Sequence, residues 1–196
     1  MDHSPKKHIS VLLQESIKAL NIKPKGVYVD ATFGRGGHSR EILKHLDQDG
    51  LLIGIDRDLA AEAHALEHFS QLPNFKFVRG EMGNIMELVR SLGIQSVDGI
   101  LMDIGVSSPQ LDEAERGFSF MKEGPLDMRM DQASPLSAEI WVAETETEEM
   151  VRVFKAYGEE RFSGRVARLI DEARQEKRIT STLELANIIS NAMPFK

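Results

Sequence analysis

Hydrophobic and polar positions alternate in blocks along the first hundred residues. Four short segments, Val27–Ala31, Leu51–Ile55, Phe75–Val78 and Gly99–Met102, are rich in Val, Ile, Leu or Phe and are bounded by Gly, Asp, Asn or Lys. That is the pattern of buried strands. Between them lie segments of helical period, with Ile42, Leu43 and Leu46 on one stripe and Ile85, Leu88 and Val89 on another. Strand alternating with helix predicts an α/β fold, a parallel sheet covered by helices. Near-continuous apolar strands agree, because parallel strands are buried on both faces. The alternation stops after Met102. Residues 107–135, rich in Gly, Ser, Asp and Pro, read mostly as loop. Helices are expected beyond it. Pro135 can occupy the first turn of one carrying Leu136, Ile140 and Trp141. Thr145 and Glu148 form a capping box for a second helix through Tyr157, which Gly158 closes. A third runs from about Glu159 to Lys177, and Ser181 with Glu184 caps a last one carrying Leu185, Ile188 and Ile189. The chain thus divides into an α/β part, 1–106, and a loop-plus-helical part, 107–196.

Composition narrows the class. The 196 residues are 41% apolar and 28% charged, as in a globular chain. The absence of cysteine excludes disulfides, thiolate metal sites and a cysteine nucleophile. The polar N-terminal stretch does not read as a signal peptide. No apolar run approaches the roughly 20 residues of a membrane span. A cytoplasmic address is therefore expected, without a membrane partner. The net charge of −7 argues weakly against nucleic acid. It is unevenly spread, however: residues 1–150 carry −10, and residues 151–180 carry +3.

The candidate chemistry lies at the ends of the predicted strands. Asp30, then Gly34-Arg35-Gly36-Gly37-His38-Ser39, follows the first strand and opens a helix. A glycine turn lets backbone approach a ligand, and the helix N-terminus offers free N–H groups. Asp56 ends the second strand, about 20 residues on, where an acid can accept both hydroxyls of a ribose. A dinucleotide fingerprint needs Gly or Ala where Ser39 stands. An acid at the first strand's end followed by G-x-G instead suits the cationic cofactor S-adenosylmethionine (SAM). A purely structural glycine turn is the remaining reading. The fourth strand ends in Asp103-Ile104-Gly105-Val106-Ser107-Ser108-Pro109-Gln110. In open α/β sheets, ligands sit beyond the carboxyl ends of strands. Ser107-Ser108-Pro109-Gln110 loosely resembles the loop with which amino-methyltransferases accept hydrogen bonds from an exocyclic NH2. A simple Ser-Pro turn is the plainer alternative.

Several long ungapped segments carry a closer resemblance. They are Gly34–Ser39, Gly105–Asp112, Glu115–Phe120 (ERGFSF), Gly124–Asp131 (GPLDMRMD) and Tyr157–Phe162 (YGEERF). Together they closely resemble the bacterial 16S ribosomal RNA cytosine-N4 methyltransferase H family, also called MraW, from about His8 onward. The resemblance implies a SAM-dependent Rossmann-like methyltransferase with a helical insertion after the fourth strand. Its substrate would be a cytidine of 16S rRNA in the small ribosomal subunit. Gly34, Gly36, Gly37, His38, Asp56, Asp103 and Gln110 would line the cofactor site. Met82 would stand where the family usually places an aromatic residue against adenine. Asp103, Ser107, Ser108 and Pro109 are the candidate catalytic and substrate contacts. The family has seven strands, so four in the order 3-2-1-4 would leave a bare apolar edge, able to pair with another chain or a second copy. We accordingly expect a truncated chain. The rival readings are a non-catalytic SAM- or RNA-binding fragment and a methyltransferase of another amino group, such as adenine N6.

The other candidates have bland alternatives. Arg161, Arg165 and Arg168 form one helical stripe that is either a solvated face or a set of phosphate contacts. His64 and His68, spaced i, i+4, lack a third ligand, so no metal is expected. Phe118, Phe120, Met121, Met128 and Met130 could contact a base, but at least half of them read as loop packing. Asp127 and Asp131 read as turn caps or substrate-positioning groups.

Overall fold

The computed structural model describes residues 10–193, which divide between Gly105 and Val106 into two compact units. The first runs α1 (Leu13–Leu20), β1 (Val27–Asp30), α2 (Gly37–His45), β2 (Leu51–Asp56), α3 (Leu59–His68), β3 (Phe75–Arg79), α4 (Ile85–Ser91) and β4 (Gly99–Leu101). The strands form one parallel sheet in the order β3-β2-β1-β4, as expected. In register, Tyr28 stands beside Leu52 and Val29 beside Ile53. Successive side chains point to opposite faces of a sheet. Tyr28 and Leu52 accordingly pack with Phe33, Ile42, Ala65, Phe69 and Phe75, while Val29 and Ile53 pack with Ile55 and Val89. Burial on both faces explains why the strands read as continuous apolar runs. β4 is the edge strand of the described sheet, and its Ile100 is 42% exposed.

The second unit runs α5 (Ser108–Asp112), α6 (Ala138–Glu144), α7 (Thr147–Ala156), α8 (Ser163–Glu176) and α9 (Thr182–Ala192). Met150, Val166, Ala167, Ile170 and Ile179 form its core, and Trp141 meets Phe154 edge-on with 5.8 Å between ring centroids. Helix ends leave carbonyls without partners. At the end of α6 the Arg174 guanidinium supplies them, donating to the carbonyls of Val142, Ala143 and Thr145 at 2.9, 3.2 and 2.7 Å.

Helix starts in this unit differ from the sequence reading. α6 starts at Ala138, capped by Ser137, which accepts from the Ile140 amide, so Pro135 lies before its first turn rather than in it. Thr145 does not open α7; its amide bonds back to Trp141 and ends α6. Residues 159–162 turn rather than coil, so α8 begins at Ser163. At α9 Ser181 accepts from Glu184, but the Glu184 carboxylate reaches the Thr180 amide, so the box is shifted by one residue. Residues 108–112, read as loop, form α5, with Ser107 as its cap.

Leu52 and Met150 are fully buried in the two separate cores. Leu52→Ala and Met150→Ala are each expected to cost about 2–5 kcal/mol. Urea unfolding followed by far-ultraviolet circular dichroism checks the first. Fluorescence of Trp141, which packs on the Met150 cluster, checks the second.

Candidate functional site

All four strands run parallel, so their carboxyl ends meet at one edge of the sheet. There Asp30, Asp56 and Asp103 cluster with the glycine turn. Gly34 and Gly36 have φ of 53° and 69°, the left-handed region that glycine adopts without strain. Gly36 has a second reason to be glycine: a Cβ there would lie 2.4 Å from the Phe69 ring. At Gly34 a Cβ would meet nothing closer than the Thr32 carbonyl at 3.9 Å, so that side of the turn is open. Asp56 ties the turn to β2. Its Oδ2 accepts the Gly34 amide at 2.8 Å and its Oδ1 accepts the Asp58 amide at 3.0 Å.

Asp30 is fully buried. Ser39 Oγ donates to it at 2.7 Å and the Thr32 amide at 3.2 Å. Burial raises its pKa above the ordinary value, because the charged form loses hydration; the two hydrogen bonds and His38 oppose that shift, and Asp56 adds to it. Thr32 Oγ1 accepts the Asp103 amide at 2.8 Å. His38, also buried, has its Nε2 3.1 Å from the Val11 carbonyl and its Nδ1 4.0 Å from the half-exposed Asp103 carboxylate. Three carboxylates beside an open glycine turn suit a ligand that carries positive charge. Met82 stands at the same edge just past β3, with part of its thioether in the core of the α4 face.

The remaining predicted residues belong to the second unit. Ser107 and Gln110 form a capping box at α5: the Gln110 Oε1 accepts the Ser107 amide at 2.9 Å, and Ser107 Oγ accepts the Gln110 amide. Ser108 and Pro109 fill its first turn, half-exposed. Arg161, Arg165 and Arg168 are exposed, Arg168 lying 3.6 Å from Glu172. Asp127 is engaged by Arg129 at 2.6 Å, which holds its carboxyl below the usual range. Asp131 caps Ala133. Of the five loop residues Phe118, Phe120, Met121, Met128 and Met130, three (Phe120, Met121 and Met128) are exposed, so fewer than half pack as expected. His64 and His68 lie ring to ring at 4.3 Å, and no group of three metal-ligating side chains occurs among the described residues. Sequence reasoning missed Thr32 and Ser39, whose hydroxyls position Asp103 and Asp30. The available signal was a small polar residue on either side of the glycine run.

A model of the MraW methylase family matches residues 5–196. The chain belongs to that family. Proteins called ribosomal RNA small subunit methyltransferase H are among its relatives. The one from Legionella pneumophila (strain Corby) is 56% identical over 189 residues, 96% of this chain and 61% of the relative. Those from Shewanella violacea and Clostridium botulinum are 53% and 54% identical over 190 residues, covering 96% and 97% of this chain and 60% and 62% of theirs. The chain therefore spans about three fifths of the length of these MraW-family relatives. No helix among the described residues is long and apolar enough to cross a membrane.

Asp30 supplies a test of the electrostatics at this edge. Its raised pKa means that folding binds its proton. The stabilisation from that proton is complete below the unfolded value of 3.8 and is lost as pH rises through the folded value. Asp30→Asn keeps the shape without the buried charge. It should raise the urea midpoint at pH 7, with the gain over the parent vanishing as pH approaches 3.8.

Proposed function

We propose that this chain carries the cofactor half and the inserted helical unit of a SAM-dependent methyltransferase acting on the exocyclic N4 of a cytidine in 16S rRNA. The observation that carries the reading is the acid-lined, glycine-turned carboxyl edge in a chain of this family. The relatives named as small-subunit rRNA methyltransferases support the substrate class. Such an enzyme works on ribosomal particles in the cytoplasm.

The residues fit SAM. Gly34, Gly36, Gly37 and His38 would hold it on the turn, Asp56 would accept its ribose hydroxyls, and Met82 would lie against its adenine. Asp103 and buried Asp30 favour its positive end. The family resemblance adds Gln110 to the residues assigned to the cofactor. When bound, SAM supplies an electrophilic methyl group on a sulfonium.

The chain's own residues have two tasks. The N4 lone pair is delocalised into the cytosine ring, so the amino group must be turned until that pair points along the methyl–sulfur axis. By the family resemblance, Asp103 of the first unit and Ser107, Ser108 and the Pro109 carbonyl of the second are the candidate acceptors for its N–H bonds. Positioning and electrostatics of this kind supply most of the rate. With SAM bound, its sulfonium would supply the methyl group, and the amino group would give up its displaced proton to an acceptor or to water. A thiolate attack on the ring, the route to C5 methylation, has no cysteine here to perform it. The target base must be unstacked, at a cost of a few kcal/mol.

Incubation with labelled SAM and unmodified small ribosomal subunits, followed by nucleoside analysis, tests the reading. Label on cytidine N4 is expected. Label on adenine N6 would identify the other amino-methylating chemistry, and binding of SAM without transfer would make this chain a binding fragment. Ser108→Ala should lower transfer about tenfold or more while leaving SAM affinity within about twofold.

A further inference from the structure

Between α7 and α8 the chain turns in six residues, Tyr157 to Phe162. The turn is tied from inside. The amides of Gly158 and Glu160 both donate to the Phe154 carbonyl, at 3.1 and 3.0 Å, and the Glu160 carboxylate accepts the Phe162 amide at 2.7 Å. Glu159 takes a left-handed φ of 50°. A fixed turn of this kind holds two aromatic rings in water: Tyr157 is 76% exposed and Phe162 41%. Tyr157 is also propped from one side. The Arg152 guanidinium lies 5.8 Å from its ring centroid and is itself gripped by both oxygens of Glu149 at 2.6 Å. The ring is held in place without being buried.

Charge flanks the rings. On α8, Ser163, Val166, Ala167 and Ile170 are buried. At 100° per residue, Arg165 and Arg168 fall on the opposite side, while Arg161 precedes the helix and is exposed in the turn. Arg168 already lies near Glu172, and among the described residues Arg165 donates to the Asn191 carbonyl at 3.3 Å. Among the described residues no carboxylate lies within ion-pair distance of Arg161 or Arg165. Residues 155–168 hold four basic side chains against two acidic ones, and one of those two, Glu160, is engaged in the turn.

We propose that the α7–α8 corner docks an unpaired stretch of RNA, with Tyr157 and Phe162 stacking on bases and Arg161 and Arg165 contacting the adjoining phosphates. This rests on the RNA reading above and adds which form of RNA is taken and where. A duplex presents phosphates and groove edges, whereas the face of a base is available only where the strand is unstacked. Rings beside cations are the combination that single strands use, and duplexes need only the cations.

The test measures binding of the whole chain to two fluorescent probes, a single-stranded RNA of about 12 nucleotides and a blunt-ended RNA duplex of two fully complementary strands. Tyr157→Ala with Phe162→Ala should weaken the single strand about tenfold or more, leave the duplex within about twofold, and leave the circular dichroism spectrum unchanged. Tyr157→Trp should keep single-strand affinity at the parent level or above it. Arg161→Gln with Arg165→Gln should weaken both probes and flatten the salt dependence. The proposal is overturned if the aromatic variants bind the single strand as the parent does, if both probes lose equally, or if the parent binds neither. The last two outcomes would point to duplex or protein docking instead. Methyl transfer by the parent, followed in parallel, separates the two readings. Transfer with no aromatic dependence of binding sinks this inference alone. Aromatic-dependent binding without transfer sinks the catalytic reading alone.

Discussion

The glycine turn stands on one side chain. Phe33 sits between Asp30 and Gly34 and drives its ring into the core, with centroids 5.0, 5.6 and 5.3 Å from those of Phe69, Phe75 and Phe77. Its amide meanwhile extends the sheet ladder by donating to the Ile55 carbonyl at 3.1 Å. Apolar burial and backbone pairing thus fix the same residue. The turn that follows has no freedom to place its amides elsewhere, and Asp56 finds Gly34 within hydrogen-bond reach. Loosening that ring would detach the turn from β2 and leave the three carboxylates without a common frame.

Those carboxylates create a tension that the fold holds unresolved. Asp30 is buried at full desolvation cost, with Asp56 close enough to add to it. The Ser39 hydroxyl donates to the Asp30 carboxyl, and the Thr32 hydroxyl accepts the Asp103 backbone amide, so both acids are held in position. A site of this kind is preorganised for positive charge, because the unfavourable field exists before any ligand arrives.

Much of the α/β unit was legible in the sequence, since continuous apolar runs and their Gly or Asp ends mark parallel strands directly. The order of the strands came instead with the family resemblance, since an apolar pattern marks strands but not their neighbours. Helix starts were less legible. Thr145 has the right chemistry for an N-cap, yet its amide closes α6, because the end of one helix and the start of the next compete for the same few residues. The acids and glycines of the site could be recognised as types, but not their partners. Gly36 reads as an approach for ligand, whereas the structure adds that Phe69 leaves no room for a side chain. Tyr157 could not be read as exposed at all, because an aromatic residue between apolar helices looks like core until the turn places it outside.

The sheet order also governs how the chain can acquire its shape as it is made. β1 meets β2 through pairs such as Val27 with Leu51, so one flank of β1 can close early. Its other flank waits for β4, whose partners Tyr28 and Gly99 are separated by most of the first unit, as the 71-residue span of the Asp103–Thr32 bond shows. Contacts of such long range are slow to form. During vectorial synthesis the central strand therefore spends its longest interval with one edge unpaired, and the acid-lined rim, which needs Asp103 from beyond β4, is the last part of the first unit to be assembled.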